Sequence, residues 1–301
     1  MHSVFVTGAR SGIGKATAEA FARAGHLVVA TVRDEAGVAD LEDSIRAGQG
    51  RLIVVVADVC DDDSVAAGLA RAADFAGPPT IVVNNAGIAD SGPIETIDWG
   101  RARALFETNL WGAVRVIRAT LPVMREAGSG LIVNVTSIGA RTPARGYHGF
   151  YMASKQALRA ISEALVWELE PFGISVVSLE PGFVATGIFD RAGFGEPIDD
   201  ASPYREDEAW VRRFYLQGLI GGVAPDVVAD RIVALGGEDR PSLHQLVGED
   251  AVAVAAALKA SPDFESWNRA AQARVASLAG PRPAGKENSL AAEEDRPKPA
   301  N

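Results

Sequence analysis

The chain has 301 residues, 48% of them hydrophobic and 23% charged, and this ordinary globular composition excludes a mainly disordered, collagen-like or coiled-coil protein. Its single cysteine, Cys60, excludes an internal disulfide framework and a zinc site built from several cysteines, and we expect no metal site. The formal net charge is −10 and the basic residues are scattered, so neither nucleic acid nor a membrane is an expected partner. No apolar run approaches the ~18 residues of a membrane helix and no signal peptide is recognised, so we expect a cytoplasmic enzyme.

Short apolar runs rich in Val and Ile alternate with longer helical stretches up to about residue 186. Strands are predicted at residues 4–7, 27–31, 52–57, 81–84, 131–136 and 174–179. Helices are predicted between them at residues 12–24, 37–47, 62–76, 98–126 and 150–170. Strands that are almost continuously apolar are buried on both faces, so we expect an α/β fold with a doubly wound parallel sheet sandwiched by helices.

The alternation weakens in the last third of the chain. Helices are predicted there at residues 207–219, 225–235, 252–259 and 264–278, with a final strand at residues 242–247. No repeat or composition change marks a boundary, so residues 1–279 are expected to form a single domain. Residues 280–301 contain four prolines and many charges and are predicted to be a disordered tail.

A glycine-rich loop at residues 7–14 separates the first predicted strand from the first predicted helix. Gly8, Gly12 and Gly14 follow a Gly-x-x-x-Gly-x-Gly spacing. Glycines let the backbone approach a phosphate closely, and a helix N-terminus offers that phosphate free N–H donors. The loop alone also fits a turn that serves only close packing of helix on strand.

A tyrosine and a lysine stand four residues apart at the start of the predicted helix at residues 150–170. This spacing places Tyr151 and Lys155 on one helix face. A nearby ammonium would lower the pKa of the tyrosine and make it a usable acid or base, although a surface pair would show the same spacing.

Two further polar residues occupy positions of interest. Ser137 follows the predicted strand at residues 131–136, at the edge of an α/β sheet where ligands bind, although a serine there can also cap a turn. Asn109 lies inside a predicted helix, where asparagine has poor propensity, so it is either a surface residue or an interruption with a purpose.

In their order and spacing these elements resemble the short-chain dehydrogenase/reductase family, in its compact single-domain branch, from about residue 4 to residue 186. The resemblance implies a Rossmann-like fold and a catalytic tetrad of Asn109, Ser137, Tyr151 and Lys155. It also implies that a dinucleotide is bound by Gly8, Arg10, Ser11, Gly12, Ile13, Gly14, Arg33, Asp58, Val59, Asn85, Ala86, Gly87, Tyr151, Lys155, Pro181, Gly182, Val184 and Thr186.

The resemblance further implies a role for each catalytic residue. Tyr151 protonates a carbonyl oxygen during reduction or takes the hydroxyl proton during oxidation, and Lys155 lowers the pKa of Tyr151. Ser137 hydrogen-bonds the substrate oxygen, and Asn109 holds a water that links Lys155 to solvent. The dinucleotide supplies the hydride, and Asn85 is expected to offer it polar contacts.

The end of the second predicted strand bears on which dinucleotide is bound. Val32 stands where an NAD site usually places a carboxylate, and Arg33 follows it. Because a guanidinium suits a 2′-phosphate and Arg10 could add a second positive charge, we predict a preference for NADP(H). The alternative is NAD(H), with Arg33 in a solvated turn and Asp34 serving the ribose.

The expected substrate is a small-molecule ketone or aldehyde and its alcohol. The substrate segment at about residues 183–223 and the loop before Tyr151 are rich in aromatic residues, which suits a bulky apolar compound, although these rings could instead dock the segment onto the core. The predicted substrate-binding residues are Ser137, Tyr147, Tyr151 and Phe183. The added C-terminal helices resemble those of steroid-, retinol- and general-ketone-directed members.

Two other interpretations remain. The chain could be a catalytically idle dinucleotide sensor or scaffold, which the complete tetrad disfavours. An epimerase or dehydratase of the longer branch would show Gly-x-x-Gly-x-x-Gly spacing, which this loop lacks. A homodimer or homotetramer is expected, and a dimer is favoured because the helices that hold Asn109 and Tyr151 often pair across a dimer in this family.

Overall fold

The computed structural model describes residues 1–38, 41, 51–188 and 199–283. Within these residues, seven strands form one parallel sheet in the order β3-β2-β1-β4-β5-β6-β7. The strands are β1 (Ser3–Val6), β2 (Leu27–Val32), β3 (Leu52–Val56), β4 (Ile81–Asn84), β5 (Gly130–Val135), β6 (Ile174–Pro181) and β7 (His244–Val247). This confirms the predicted α/β, Rossmann-like, doubly wound sheet.

The helices cover both faces of the sheet and its carboxyl edge. They are α1 (Gly12–Arg23), α2 (Asp62–Ala76), α3 (Trp99–Phe106), α4 (Ala113–Ala127), α5 (Gly149–Leu169), α6 (Arg205–Ile220), α7 (Pro225–Leu235), α8 (Glu249–Ala260) and α9 (Phe264–Ala279). No helix among the described residues combines the length and apolarity needed to span a bilayer.

Alternate residues of the strands enter two cores, one on each face of the sheet. Val4 packs in the same cluster as Phe21 of α1 and Ile232 of α7. On the opposite face, Phe5 packs in the same cluster as Leu165 of α5. Burial on both faces explains why the strands read as continuous apolar runs rather than as alternating ones.

The direction of the chain across the sheet changes at β1, which pairs with β2 on one side and β4 on the other. The loops after these strands diverge at this point and leave a crevice at the carboxyl edge. The glycine-rich loop follows β1 and residues 85–87 follow β4, so the fold brings two separately predicted motifs to the same crevice.

One predicted helix is not regular. The stretch predicted as a helix at residues 98–126 contains a π-helical segment, Glu107–Gly112, between α3 and α4. A π-bulge inserts an extra residue into the helix and is frequent at functional sites. Asn109 lies in this segment and is buried, so it is not a surface residue.

Three of the predicted regions lie wholly or partly outside the described residues. Most of the helix predicted at residues 37–47 lies outside the described residues, as do residues 189–198 of the predicted substrate segment and residues 284–301 of the predicted tail. The start of that tail contacts the domain: Trp210 donates a hydrogen bond to the carbonyl of Gly280 (2.8 Å), and Arg282 forms an ion pair with Asp207 (2.8 Å).

Candidate active site

The glycine-rich loop is held against the segment that follows β4. Gly8 has φ +66°, and a Cβ there would lie 2.7 Å from the Cα of Ala86. A Cβ at Gly14 would lie 2.4 Å from the carbonyl oxygen of Gly8. Both positions therefore exclude any side chain, which explains the glycine spacing by close backbone approach.

The N-terminus of α1 differs from those of several other helices in this protein. Ser11, at its N-cap, makes no side-chain hydrogen bond to the first turn, whereas Asp61 and Asp98 cap α2 and α3. The first N–H groups of α1 and its positive dipole end thus remain available to an anion, and Arg10 and Ile13 flank them. This arrangement fits the phosphates of a dinucleotide.

Asn85 lines the crevice and also supports this loop. Its Nδ2 donates hydrogen bonds to the carbonyl oxygens of Thr7 (2.9 Å) and Gly8 (3.0 Å). Both hydrogens of the amide are used there, so the amide oxygen is the side-chain group left for the expected polar contacts with a dinucleotide.

The other predicted dinucleotide residues lie at the carboxyl ends of strands, and several of them line the cavity. At the end of β3, the Asp58 carboxylate accepts a hydrogen bond from the Cys60 amide (2.9 Å), and Val59 is buried. After β6, Thr186 approaches the glycine-rich loop, since a Cβ on Gly12 would lie 3.1 Å from its methyl group. Residues lining the shared cavity on this side are Ile13, Asn85, Gly87, Pro181, Gly182, Val184 and Thr186.

Tyr151 and Ser137 meet in this cavity. They are hydrogen-bonded to each other through their side chains. Burial raises the pKa of Tyr151 to about 12, a rise that the Ser137 hydrogen bond only partly opposes. The pKa of Tyr151 is therefore raised and not lowered as expected, because desolvation outweighs the other contributions.

Lys155 lies one helical turn further along α5, at the floor of the cavity. Its Nζ donates a hydrogen bond to the carbonyl of Val135 (2.9 Å). Burial lowers the pKa of Lys155 to about 8, since water no longer solvates the ammonium. Near neutral pH this lysine can therefore both hold and release a proton.

Asn109 and Lys155 converge on Gly87. A Cβ on Gly87 would lie 3.2 Å from Asn109 Oδ1 and 3.3 Å from Lys155 Nζ. Asn109 is fixed there by Ile88, whose N–H it accepts (2.8 Å) and whose carbonyl it donates to (2.9 Å). The structure thus brings all four predicted tetrad residues to the crevice.

The predicted substrate residues are only partly brought together. Ser137, Tyr151 and Phe183 line the cavity, but Tyr147 is not among its lining residues. The Tyr147 hydroxyl is directed at Asp207 of α6 (3.4 Å), and burial, together with the charge of Asp207, raises the pKa of Tyr147 to about 12. The aromatic side chain next to Tyr151 is instead His148, with ring centroids 4.6 Å apart.

Sequence reasoning placed His148 and Tyr215 in aromatic-rich specificity segments without naming them as site residues, and it missed the charged residues of the cavity wall. His148, Tyr215, Arg145, Asp250 and Arg274 all line it. They come from the loop before α5 and from α6, α8 and α9, so no local spacing connects them. Burial, and secondarily the charge of Arg145, lowers the pKa of His148 to about 3, which keeps this ring neutral.

Comparison with known proteins agrees with this geometry. The family model described as short chain dehydrogenase matches residues 2–194. Oxidoreductase BOA17 of Botryotinia fuckeliana is 34% identical over 267 residues, which is 87% of this chain and 95% of the relative. A 3-ketodihydrosphingosine reductase of Bacteroides thetaiotaomicron is 36% identical over 203 residues, covering 67% and 71% of the two chains.

A solved structure is also similar. A short chain dehydrogenase/reductase from Burkholderia phymatum, in complex with NAD, superposes with a TM-score of 0.74 at 28% identity, covering 84% of this chain and 91% of that one. The chain belongs to the short-chain dehydrogenase/reductase family and is an oxidoreductase that acts on CH–OH donors with NAD or NADP as acceptor.

Proposed function

We propose that this protein is an NADP(H)-dependent reductase that interconverts a ketone or aldehyde with its alcohol by hydride transfer and tyrosine acid–base catalysis. The observation that carries the proposal is that Ser137, Tyr151 and Lys155 line one cavity, beside a glycine-rich loop that excludes side chains. A proton donor, a hydrogen-bonding partner and a phosphate cradle at one sheet edge are what carbonyl reduction requires.

In this reaction the dinucleotide supplies the hydride, and the residues of the chain manage the proton and the carbonyl oxygen. Tyr151 donates its hydroxyl proton to the oxygen as that atom gains charge, and Ser137 donates a hydrogen bond to the same oxygen. Because the pKa of Tyr151 is raised to about 12, the proton-donating form dominates near neutral pH. This form is the one that carbonyl reduction requires.

Lys155 and Asn109 would return the proton to Tyr151. With a pKa near 8, Lys155 exchanges protons readily in the neutral range. Asn109, rigidly held by Ile88 and close to Lys155 around Gly87, is placed to fix a water between the lysine and solvent. Both are positioning and relay groups, while Tyr151 and Ser137 are proposed to contact the substrate.

Two arginines support the choice of NADP(H). Arg10 Nη1 lies 3.9 Å and Arg33 Nε lies 3.6 Å from the carboxylate of Asp34, and the side chains are 40% and 75% exposed, respectively. Asp34 also accepts a hydrogen bond from the N–H of Gly37 (3.0 Å). The carboxylate is thus engaged by its own loop, and we propose that the two guanidinium groups recognise a 2′-phosphate.

The proposed substrate is bulky and largely apolar. The cavity beyond Tyr151 is lined by Phe183, Ile188, Leu219 and Val254, which suits a hydrocarbon body. The similarity to a relative named 3-ketodihydrosphingosine reductase supports a ketone with a long apolar portion.

We also propose a homodimer that forms through the faces of the π-helical segment and α5. Trp111 is 51% exposed and Trp167 is 84% exposed on these elements. Large exposed apolar side chains favour burial against a second copy. Light scattering in solution, compared between wild type and Trp167→Glu, tests this assembly.

The proposed function is tested by the Tyr151→Phe variant. We expect turnover of a ketone panel with NADPH to fall by about a thousandfold or more, because the proton donor is lost, while NADPH binding stays within about twofold. Tyr204→Phe is the matched control, since the Tyr204 hydroxyl bonds Glu95 at the surface. Equal turnover by wild type and Tyr151→Phe would overturn the proposal.

A further inference from the structure

Two arginines from distant parts of the chain line the substrate cavity. Arg145 comes from the loop before α5 and Arg274 from α9. The guanidinium of Arg145 donates to the Tyr215 hydroxyl and lies 5.4 Å from the centroid of the Phe214 ring. Arg274 Nη2 lies 3.9 Å from Asp250 Oδ2.

The two guanidinium groups are close enough to affect each other. The pKa of Arg274 is lowered, first by burial and then by the charge of Arg145, against an opposing contribution from Asp250. Like charges that face each other in a partly buried wall are destabilising unless a negative charge lies between them. In addition, the Nε atoms of Arg145 and Arg274 are buried with no hydrogen-bond partner among the described residues.

The carboxylate of Asp250 does not fully compensate this charge. Its Oδ2 accepts a hydrogen bond from the N–H of Phe183 (2.8 Å) and so also holds the turn after β6. His148 adds no charge, because its lowered pKa keeps the ring neutral. Arg145, Arg274 and Asp250 together leave one excess positive charge in a protein whose net charge is −10, which matches a singly charged anion.

If one ligand carries both the anionic group and the reacting carbonyl, the positions of the arginines and Tyr151 fix the distance between those two groups. The His148 ring lies 4.6 Å from that of Tyr151 and 4.4 Å from that of Tyr215. Arg145 packs against Phe214, whose ring centroid lies 5.1 Å from that of Tyr215, so a series of aromatic rings connects Arg145 to the proton donor. We therefore expect a ligand that reaches from Tyr151 to Arg145 to have several carbon atoms between its carbonyl and its charged group.

We propose that Arg145 and Arg274 form an anion subsite, and that the substrate is an oxo acid with an apolar body and a carboxylate remote from the carbonyl. The inference rests on the proposed carbonyl reduction at Tyr151 and makes its substrate class more specific. The carboxylate contacts both guanidinium groups and relieves their repulsion, while the apolar lining holds the carbon chain.

The test compares 4-benzoylbutyrate, a ketone with a remote carboxylate, with its uncharged methyl ester. Binding of each to the full chain in the presence of NADP⁺ is measured by calorimetry, and reduction of each is measured with NADPH. We expect wild type to bind the acid at least about tenfold more tightly than the ester, because charge-assisted hydrogen bonds are lost in the ester.

The variants Arg145→Gln and Arg274→Gln are expected to weaken acid binding by about 10- to 100-fold and ester binding by less than about threefold. Arg269→Gln is the matched control, because it removes the same charge from the exposed surface of α9 and should keep the preference for the acid. The two tested arginines lie on different elements, so if one variant fails to fold the other still decides the question.

Equal binding of acid and ester by wild type, or an acid preference that survives in the folded Arg145→Gln and Arg274→Gln variants, would overturn the inference. Reduction of the ester without any preference for the acid would leave the proposed function intact and remove only the anion subsite. An acid preference that depends on both arginines, without reduction of either compound, would support the subsite and count against the proposed function.

Discussion

The two sides of the active-site crevice are built differently. The cofactor side, formed by the glycine-rich loop, residues 85–87 and Thr186, consists of backbone segments in van der Waals contact. The substrate side, formed by residues 141–148, α6, α8 and α9, consists of side chains such as His148, Tyr215 and Arg274. Backbone contact requires small residues at fixed spacing, whereas contact through side chains tolerates many residue types. The first side is therefore readable from the sequence, and the second is not.

The largest effect is expected when one methyl group is added to the backbone contact on the cofactor side, which tests whether that side depends on close backbone approach. Gly8→Ala and Gly25→Ala both place alanine at positive φ, +66° and +89°, but only Gly8 has neighbours within 4 Å of the new Cβ. We expect Gly8→Ala to weaken dinucleotide binding by more than about 100-fold through the clash with Ala86. Gly25→Ala should lower the free energy of unfolding by about 1 kcal/mol through backbone strain alone and leave dinucleotide binding unchanged.

Fluorescence titration with NADPH measures the loss of dinucleotide binding, and urea unfolding measures the backbone strain. Similar dinucleotide affinities in both alanine variants would show that the loop tolerates side chains. The cofactor side would then not depend on close backbone approach.

Lys155 lies between the two sides, and replacing it tests whether its ammonium is desolvated in the folded protein. Lys155 has a folded pKa of about 8 and an ordinary pKa of 10.5. Between these values the unfolded chain binds more protons than the folded chain, so stability rises with pH and the burial penalty is complete below pH 8. We expect Lys155→Met to be more stable than wild type at pH 7, by up to about 3 kcal/mol, although it is inactive.

Urea unfolding at pH 7, 8, 9 and 10 measures this difference. The stability advantage of Lys155→Met should shrink as the pH rises, because only wild type gains stability over this window. Parallel pH profiles for the two proteins would show that the ammonium is not desolvated in the folded state.

The dinucleotide preference tests a neighbouring part of the cofactor side, where the exposed side chain of Arg33 follows β2. Arg33→Ala should raise the KM for NADPH about tenfold and the KM for NADH less than about twofold, because only NADPH carries a 2′-phosphate. Arg51→Ala is the control, since Arg51 bonds the carbonyl of Gly25 away from the crevice. Equal changes for both dinucleotides would remove the NADP(H) assignment.

The smallest expected effect concerns the outer support of the substrate side. Arg282 forms two hydrogen bonds to the Asp207 carboxylate, 3.0 and 2.8 Å long, and lies 5.8 Å from the Trp210 ring centroid. Arg282→Ala should reduce the free energy of unfolding by about 1 kcal/mol and raise the KM for an apolar ketone a few-fold. The KM for NADPH should not change, and a change in it would contradict the separation of the two sides.

Much of the scaffold was predictable because it depends on local patterns. The strands, most helices, the glycine spacing and the placement of Tyr151 and Lys155 on one helix face follow from residue periodicity and backbone geometry. The π-helical segment at Asn109 was not predictable, since it is stabilised by bonds to Ile88 that no local rule specifies. The exclusion of Tyr147 from the cavity likewise depends on Asp207, which belongs to a different element.

The sequence by itself determined the family, the sheet and the order of the motifs, because propensity, hydrophobic period and glycine spacing act between neighbours in the chain. Only the tertiary structure decided that the pKa of Tyr151 rises rather than falls, that Asn85 supports the loop, and that Arg145 and Arg274 share a wall. Desolvation and Coulomb interactions depend on distance in space and on the exclusion of water. Both are properties of the folded chain that residue order alone does not contain.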